Sequence, residues 1–264
     1  MTERTMSSEN RVIAIDGPAS SGKSSTARLL AQRLNYKFLD TGAYYRIATL
    51  HCMRNNIELR APNSVLSAVS CLVKSSEKEV VAENLSVGLH TGFGVSLDPN
   101  LQLAKLASQN VTAQIRTEAV TKCVHHISSN AGVRRILIEL QQKIVDDYAR
   151  SGIVLEGRDT TDVVAPNAAL KILLTANNEV RALRRAKQSG EDVKITAKSI
   201  AVRDSLDLNT TNFLKTSAVN SDIVVIDNSN LTIYETVQKI LNLVFDKPLR
   251  FVLYCPLSHS IGSK

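Results

Sequence analysis

Residues Gly17-Pro18-Ala19-Ser20-Ser21-Gly22-Lys23-Ser24 spell G-x-x-x-x-G-K-S and stand between two segments of opposite periodicity. Ahead of them, Val12-Ile13-Ala14-Ile15 is a short unbroken apolar run ending in Asp16, the pattern of a strand buried on both faces. Behind them, Ala27, Leu30, Ala31 and Leu34 recur at helical spacing. A strand, a glycine loop and a helix in that order constrain the chain strongly. The loop must turn its backbone N–H groups inward, at a helix N-terminus whose dipole favours an anion. In that context Lys23 is expected to reach the β- and γ-phosphates of a nucleoside triphosphate, and the Ser24 hydroxyl to ligate Mg²⁺.

The next segments repeat the alternation. Tyr36-Lys37-Phe38-Leu39 reads as a short strand closed by Asp40-Thr41-Gly42. Two strands joined through a helix make a βαβ unit and hence a parallel sheet. Gly42 to Asn55 reads as a helix with Ala43, Ile47 and Leu50 on one side, and Tyr45 and Arg46 in its first turns. From about Leu59 to Asn110 the pattern changes to a helix over Val65–Val73 and β-prone residues among Gly88, Gly92 and Gly94, a small α+β insertion with a short hairpin sheet. Thr117 is a plausible cap for a helix through Val120, Val124 and Ile127. Beyond a break at 128–132, a second helix carries Val133, Ile136, Leu137, Leu140 and Ile144. Buried strands are expected at Ile153–Leu155, closed by Glu156-Gly157-Arg158-Asp159, at Leu170–Leu174 and at Ile223–Asp227. Between the last two lie a basic helix, Asn178–Gln188, and a polar stretch, helical near Thr196–Asp204. Asp207–Asn212 has no apolar period and is expected to form a mobile flap. Thr232-x-x-Glu235 is a capping box opening a final helix that buries Ile233, Val237, Ile240, Leu241 and Val244. The expected fold is therefore an α/β, five-stranded doubly wound parallel sheet over 11–247, with excursions near 60–118 and 190–217. Residues 1–10 read as a flexible N-terminus, and 248–264 as a tail with no evident role.

Composition excludes several function classes. The net charge of +7 invites a nucleic-acid partner, yet the basic residues are spread out; the one dense run is Arg181, Arg184, Arg185 and Lys187. Trp is absent and aromatics are 4%, so base-stacking platforms are scarce. No nucleic-acid partner is expected. Cys52, Cys71, Cys123 and Cys255 lack C-x-x-C spacing, and adjacent His125 and His126 project about 100° apart on a helix, which argues against a structural metal site. No signal-peptide core precedes the glycine loop, and no apolar run nears the roughly 18 residues of a membrane span. A soluble, cytoplasmic protein without a membrane partner is the expectation.

Triphosphate loops serve several chemistries. Neither the N-K-x-D nor the D-x-x-G string of a GTPase occurs anywhere in the chain. Arg46, Arg158 and Arg203 instead fall at strand ends and in the polar excursion. Phosphoryl transfer runs through a loose transition state, so its catalysis is mostly positioning and charge neutralisation. Arginines that hold a donor γ-phosphate and an acceptor phosphate together are what a nucleotide kinase requires.

With those residues in view, the chain resembles the bacterial cytidylate (CMP) kinases over about Arg11 to Phe245. The resemblance rests on G-P-A-S-S-G-K-S-S at 17–25, D-T-G-A-Y-Y-R at 40–46, I-R-T at 115–117, G-R-D at 157–159, R-D-x-x-D at 203–207 and V-V-I-D at 224–227. It implies a P-loop kinase fold, ATP with Mg²⁺ held by the loop through Ser25, CMP and dCMP as acceptors, and a monomer. It implies that Thr41 and Arg46 touch the monophosphate side, that Arg46 and Arg158 hold the acceptor phosphate, and that Asp159 lies under the nucleotide. Arg134 would read the cytosine, Arg203 would reach the phosphates with the lid, and Asp207 would face the ribose. Lys23, Arg158 and Arg203 would form the catalytic set. The stretch 60–118 corresponds to the family's monophosphate-binding insertion and 190–217 to its lid. Two positions depart from the pattern. His125 stands where the family has a small hydroxyl residue near the base, and Thr210 where the lid has a final arginine, with Lys215 available as a point charge in its place. A charge-assisted contact of roughly 1.5–3 kcal/mol is at stake there. The departures leave two alternatives open, a nucleotide-binding protein with impaired catalysis and a kinase of UMP or AMP.

Overall fold

A computed structural model describes residues 10–78, 93–210 and 222–246, without the side chains of 75–78, 206–210 and 246. The expectations for the first nine residues, for Gly88 and Gly92, for Lys215 and for the tail 248–264 lie outside the described residues. In chain order the elements are β1 (Val12–Asp16), α1 (Lys23–Leu34), β2 (Lys37–Asp40), α2 (Thr41–Arg54) and α3 (Pro62–Lys78). There follow β3 (Phe93–Val95), β4 (Ala104–Leu106), β5 (Gln109–Asn110), a 3₁₀ turn at Gln114–Arg116, α4 (Glu118–Ser128) and α5 (Ala131–Tyr148). The last part comprises β6 (Ile153–Gly157), a wide turn at Thr160–Val164, β7 (Leu170–Thr175), α6 (Asn178–Ser189), α7 (Val193–Thr210), β8 (Ile223–Asp227) and α8 (Ile233–Asp246).

The five expected strands form one parallel sheet in the order β2-β6-β1-β7-β8. Its two faces explain the unbroken apolar runs. Val12 and Ala14 of β1 face a core shared with α2, α3 and α5, while Ile13 and Ile15 face another shared with α1 and α8. A strand whose alternate residues enter two different cores has no polar side to show. The register pairs Asp16 with Gly157 and Asp40 with Glu156, so three acidic residues finish their strands on the same carboxyl edge. The excursion after α3 folds as the three-stranded antiparallel sheet β3-β4-β5, joined to α2 by an edge-to-face contact of Phe93 with Tyr44, centroids 5.4 Å apart.

Some local expectations change. Strand β8 is an edge, so Val225 is 56% exposed rather than buried. Ile233, in the first turn of α8, is exposed; the buried stripe is Val237, Ile240 and Val244. Thr117 stands at the cap of α4 but donates its hydroxyl to the Gln114 carbonyl, leaving the helix N–H groups without its oxygen. The largest change is at 190–217. Helix α7 runs through Asp207 to Thr210, so four of the six residues expected as a flap are helical, and 211–217 lies outside the described residues. The capping box at the start of α8 is present, with Glu235 N–H donating to Thr232 Oγ1 at 3.2 Å and Thr232 N–H to Glu235 Oε2 at 2.8 Å.

Candidate active site

The glycine loop leaves the carboxyl end of β1 and is held largely by its carbonyls, an arrangement that suits N–H groups facing an anion, while the Ala19 N–H donates to Asp204 Oδ1 at 3.1 Å. Arg158 Nη1 donates to the Gly17 carbonyl at 2.7 Å and Arg181 Nη1 to that of Ala19 at 3.1 Å. Ser21 offers its carbonyl to Arg184 Nη1 at 3.2 Å and to Asn228 Nδ2 at 2.9 Å. Gly17 admits no side chain, because a Cβ there would lie 2.2 Å from the Leu174 carbonyl oxygen of β7. Ser20 takes a left-handed φ of 60°, the kind of uncommon backbone that concentrates at ligand sites. Lys23 is buried and its Nζ donates back to the Pro18 carbonyl at 3.1 Å, across the concavity where phosphates would sit. Ser25, the third residue of α1, is exposed.

Carboxylates line the floor. Asp16 is buried, and each of its oxygens accepts twice: Oδ1 from the Thr160 N–H and hydroxyl, Oδ2 from those of Thr161, at 2.7–3.0 Å. Burial pushes its pKa up and the four donors pull it back. Asp16 thus fixes the G-R-D strand end against the loop. Glu156 is also buried and accepts the Ser24 hydroxyl proton at 2.8 Å. Desolvation raises its pKa, with the negative charge of Asp40 adding to the effect and Lys23, Ser24 and Arg158 opposing it. Hydroxyl and carboxylate oxygens beside a phosphate loop form the hard donor set that suits Mg²⁺. Asp40 caps α2 through the Ala43 N–H at 2.9 Å and pairs with Arg116 at 3.3 Å.

On the other side of that edge the acceptor candidates gather. Arg46 Nη1 donates to the Ile115 carbonyl at 3.0 Å and to Thr121 Oγ1 at 2.9 Å, leaving Nη2 and Nε without a protein hydrogen bond among the described residues. Burial lowers its pKa; Asp40 opposes this, while Arg116, Arg185 and Arg158 add to it. With Arg116 paired to Asp40 and Arg158 on the Gly17 carbonyl, several positive charges act on Arg46, an arrangement that invites an anion. Thr41 is buried and its hydroxyl donates to the Glu156 carbonyl at 2.7 Å, so its proton serves the fold and its lone pairs remain. Arg134, expected at the base, and Asp159, expected under the nucleotide, are brought together as an ion pair beside Tyr45. His125 donates through Nδ1 to the Lys122 carbonyl at 2.8 Å, which leaves Nε2 an acceptor in the neutral ring. Its ring does not diverge from that of His126; the centroids are 3.8 Å apart. Arg203 is half-buried on α7, one residue before Asp204, and Asp207 and Thr210 continue that helix.

Sequence reasoning missed several members. Glu156 reads only as the end of a strand, although an acid closing the strand next to a triphosphate loop is the signal that singles it out. Arg181 and Arg184, members of the dense basic run on a helix, turn inward to the loop; Arg181 is 6% exposed. No local pattern distinguishes an inward arginine from an outward one. Asn228, one residue past β8, has no motif either.

The sequence profile of the cytidylate kinase family matches residues 13–246. A protein named cytidylate kinase from Rhodococcus jostii (strain RHA1) is 36% identical over 247 residues, spanning 92% of this chain and 98% of its own. One of the same name from Nocardia farcinica (strain IFM 10152) is 38% identical over 238 residues, 88% and 93% of the two chains. A third, from Enterococcus faecalis (strain ATCC 700802 / V583), is 38% identical over 240 residues, 89% and 96%. No helix among the described residues is long and apolar enough to cross a membrane. With the profile and these relatives each spanning nearly the whole chain, the protein belongs to the cytidylate kinase family of nucleoside monophosphate kinases.

Proposed function

We propose that the protein transfers the γ-phosphoryl group of ATP to CMP and dCMP, forming ADP with CDP or dCDP, as a step of pyrimidine nucleotide metabolism. The observation that carries this reading is the meeting, on one sheet edge, of the Lys23–Ser24 loop with the Arg46, Arg116, Arg158 and Arg185 cluster around Asp40 and Glu156. The loop takes the donor phosphates along Gly17–Ser25, with Lys23 across the β- and γ-phosphates. Ser24, its proton on Glu156, presents lone pairs to Mg²⁺, which when bound neutralises charge on those phosphates. Arg46 offers its unoccupied edge to the acceptor phosphate, and Arg158 spans from the loop to that phosphate. The acceptor oxygen is already anionic near neutral pH, since phosphate monoesters lose their second proton with a pKa of about 6. No general base is then needed, and the arginines' task is to let two anions approach.

The Arg134–Asp159 pair sets donors beside acceptors. Cytosine answers with the N4 amino donor next to ring acceptors, and a carboxylate accepting from that amino group is a recognised pairing. Uracil carries an acceptor at the same place. His125 Nε2 is a further acceptor for the base, and Asp207 is assigned to the ribose. Thr41, Arg203 and the excursions near 60–118 and 190–217 take the monophosphate-side and lid roles. An ADP-release assay with CMP, dCMP, UMP, AMP and GMP tests the reading. Turnover with CMP and dCMP well above the rest is expected, and no turnover with any pyrimidine monophosphate overturns it.

A further inference from the structure

Both backbone polar groups of Ala19, the third residue of the phosphate loop, are taken by one ion pair from outside the loop. The Ala19 N–H donates to Asp204 Oδ1 at 3.1 Å, and its carbonyl accepts from Arg181 Nη1 at 3.1 Å. The same Nη1 donates to Asp204 Oδ2 at 2.5 Å, and Nη2 is tied to Asn178 Oδ1 at 2.5 Å. Arg181 belongs to α6 and Asp204 to α7. A buried cation from one helix and a carboxylate from the next therefore grip a single residue of the donor loop.

The packing of α7 gives this grip its weight. From Val193 to Ser205 only Thr196 and Ile200 are buried, and Asp204 extends them as an i, i+4, i+8 stripe. Thr196 Oγ1 donates to the Ala182 carbonyl of α6 at 3.2 Å. Val193, Ile195 and Val202, on the remaining surface, are exposed. A helix held along so narrow a stripe has its rotation set by its fixed points, and Asp204 is one that reaches the loop. Arg203 lies about 100° round the axis from Asp204 and three residues after Ile200. Any turn or lift of α7 at Asp204 carries Arg203 with it.

We propose that Arg181 and Asp204 are positioning residues that lock α7 to the phosphate loop, so that Arg203 meets the transferring phosphoryl group only while Ala19 is held. The idea rests on the role given to Arg203 under the proposed function. Neither residue of the pair touches reacting atoms; they act through α7.

A double-mutant cycle over Asp204 and Arg203 tests the coupling, with ATP and CMP as substrates and Mg²⁺ present. Asp204→Asn keeps an oxygen for the Ala19 N–H but removes the charge that answers Arg181. It should lower kcat by at least about tenfold, with KM for ATP and CMP changed less than about threefold. In the Arg203→Ala background the same substitution should cost less than about twofold. An equal cost in both backgrounds overturns the coupling and leaves Asp204 a residue of stability alone. If Arg203→Ala keeps the wild-type kcat, the role of Arg203 itself fails, and the coupling falls with it. Because Asp204→Asn leaves a buried arginine short of its partner, the paired variant Arg181→Gln/Asp204→Asn is measured as well. Amide side chains at both positions still offer a donor and an acceptor to Ala19. This variant should melt near wild type and recover part of the lost kcat; wild-type melting with no recovery overturns the proposal.

Discussion

Arg46 holds its charge where water is scarce, fastened by Nη1 to a carbonyl and a hydroxyl, and the opposite edge of its guanidinium is what the acceptor phosphate would meet. Arg46→Ala should raise KM for CMP about 10–100-fold while the dissociation constant for ATP stays within about threefold, measured by steady-state kinetics and by titration calorimetry. An unchanged KM would remove Arg46 from the acceptor site. Gly157 is constrained by space rather than by dihedral angle. A Cβ there would stand 2.4 Å from Thr41 Oγ1 and 2.6 Å from Thr160 Cγ2, both on segments that the Asp16 and Glu156 contacts hold in place. Gly157→Ala should therefore destabilise the fold by about 1–3 kcal/mol, read from the denaturant midpoint. A midpoint equal to wild type would mean that Thr41 and the strand end are not pressed together.

At the scale of elements, the loop is shaped from behind by α6 and the end of β8. Arg184→Ala removes a donor to the Ser21 carbonyl and two contacts with Asn228. It should weaken ATP binding about tenfold, measured by calorimetry with ATP alone; unaltered affinity would show that the loop keeps its form without that support. The cap of α8 gives a pH test. The Thr232 N–H and hydroxyl hold Glu235 below its ordinary value of 4.5. A carboxyl depressed by folding contributes stability that is present above its unfolded value and lost as pH falls through the folded one. Glu235→Gln should therefore melt lower than wild type near pH 7, with the gap closing as pH falls below the ordinary value of 4.5. A gap that widens in acid would contradict the assignment. Elements were legible to the extent that burial imposed a period on them. Strands β1, β6 and β7 show as apolar runs because both faces are covered, and α5 because Val133, Leu137, Leu140 and Ile144 make one stripe. Helix α7 buries Thr196 and Ile200 and seats itself with Asp204, so its apolar period is weak: Thr196–Asp204 still reads as helical, but the last turn from Asp207 on reads as a flap. Arginines 181 and 184 show their charge in the sequence but not their direction, which depends on a loop 160 or so residues away.

For the whole molecule, the parallel sheet gathers residues remote in sequence onto one edge. Ser24 meets Glu156, Thr41 meets the backbone of the same residue, and Arg158 reaches back to Gly17. The loop motif and the spaced arginines were visible as separate strings. Their convergence was foreseeable from the βαβ order, since strands running one way bring their carboxyl ends together. What the strings could not show was which acid serves which donor: Asp16 braces Thr160 and Thr161, and Glu156 holds Ser24. Nor could they show that Arg134 and Asp159 meet each other. The central claim is that one site holds both nucleotides and passes a phosphoryl group directly between them. Label transfer from ATP carrying ³²P at the γ-phosphate tests it most directly, with CMP and Mg²⁺ present. The label should appear at the β-phosphate of CDP, in amounts equal to the ADP released. Label found only in ATP, or released only as inorganic phosphate, would contradict it.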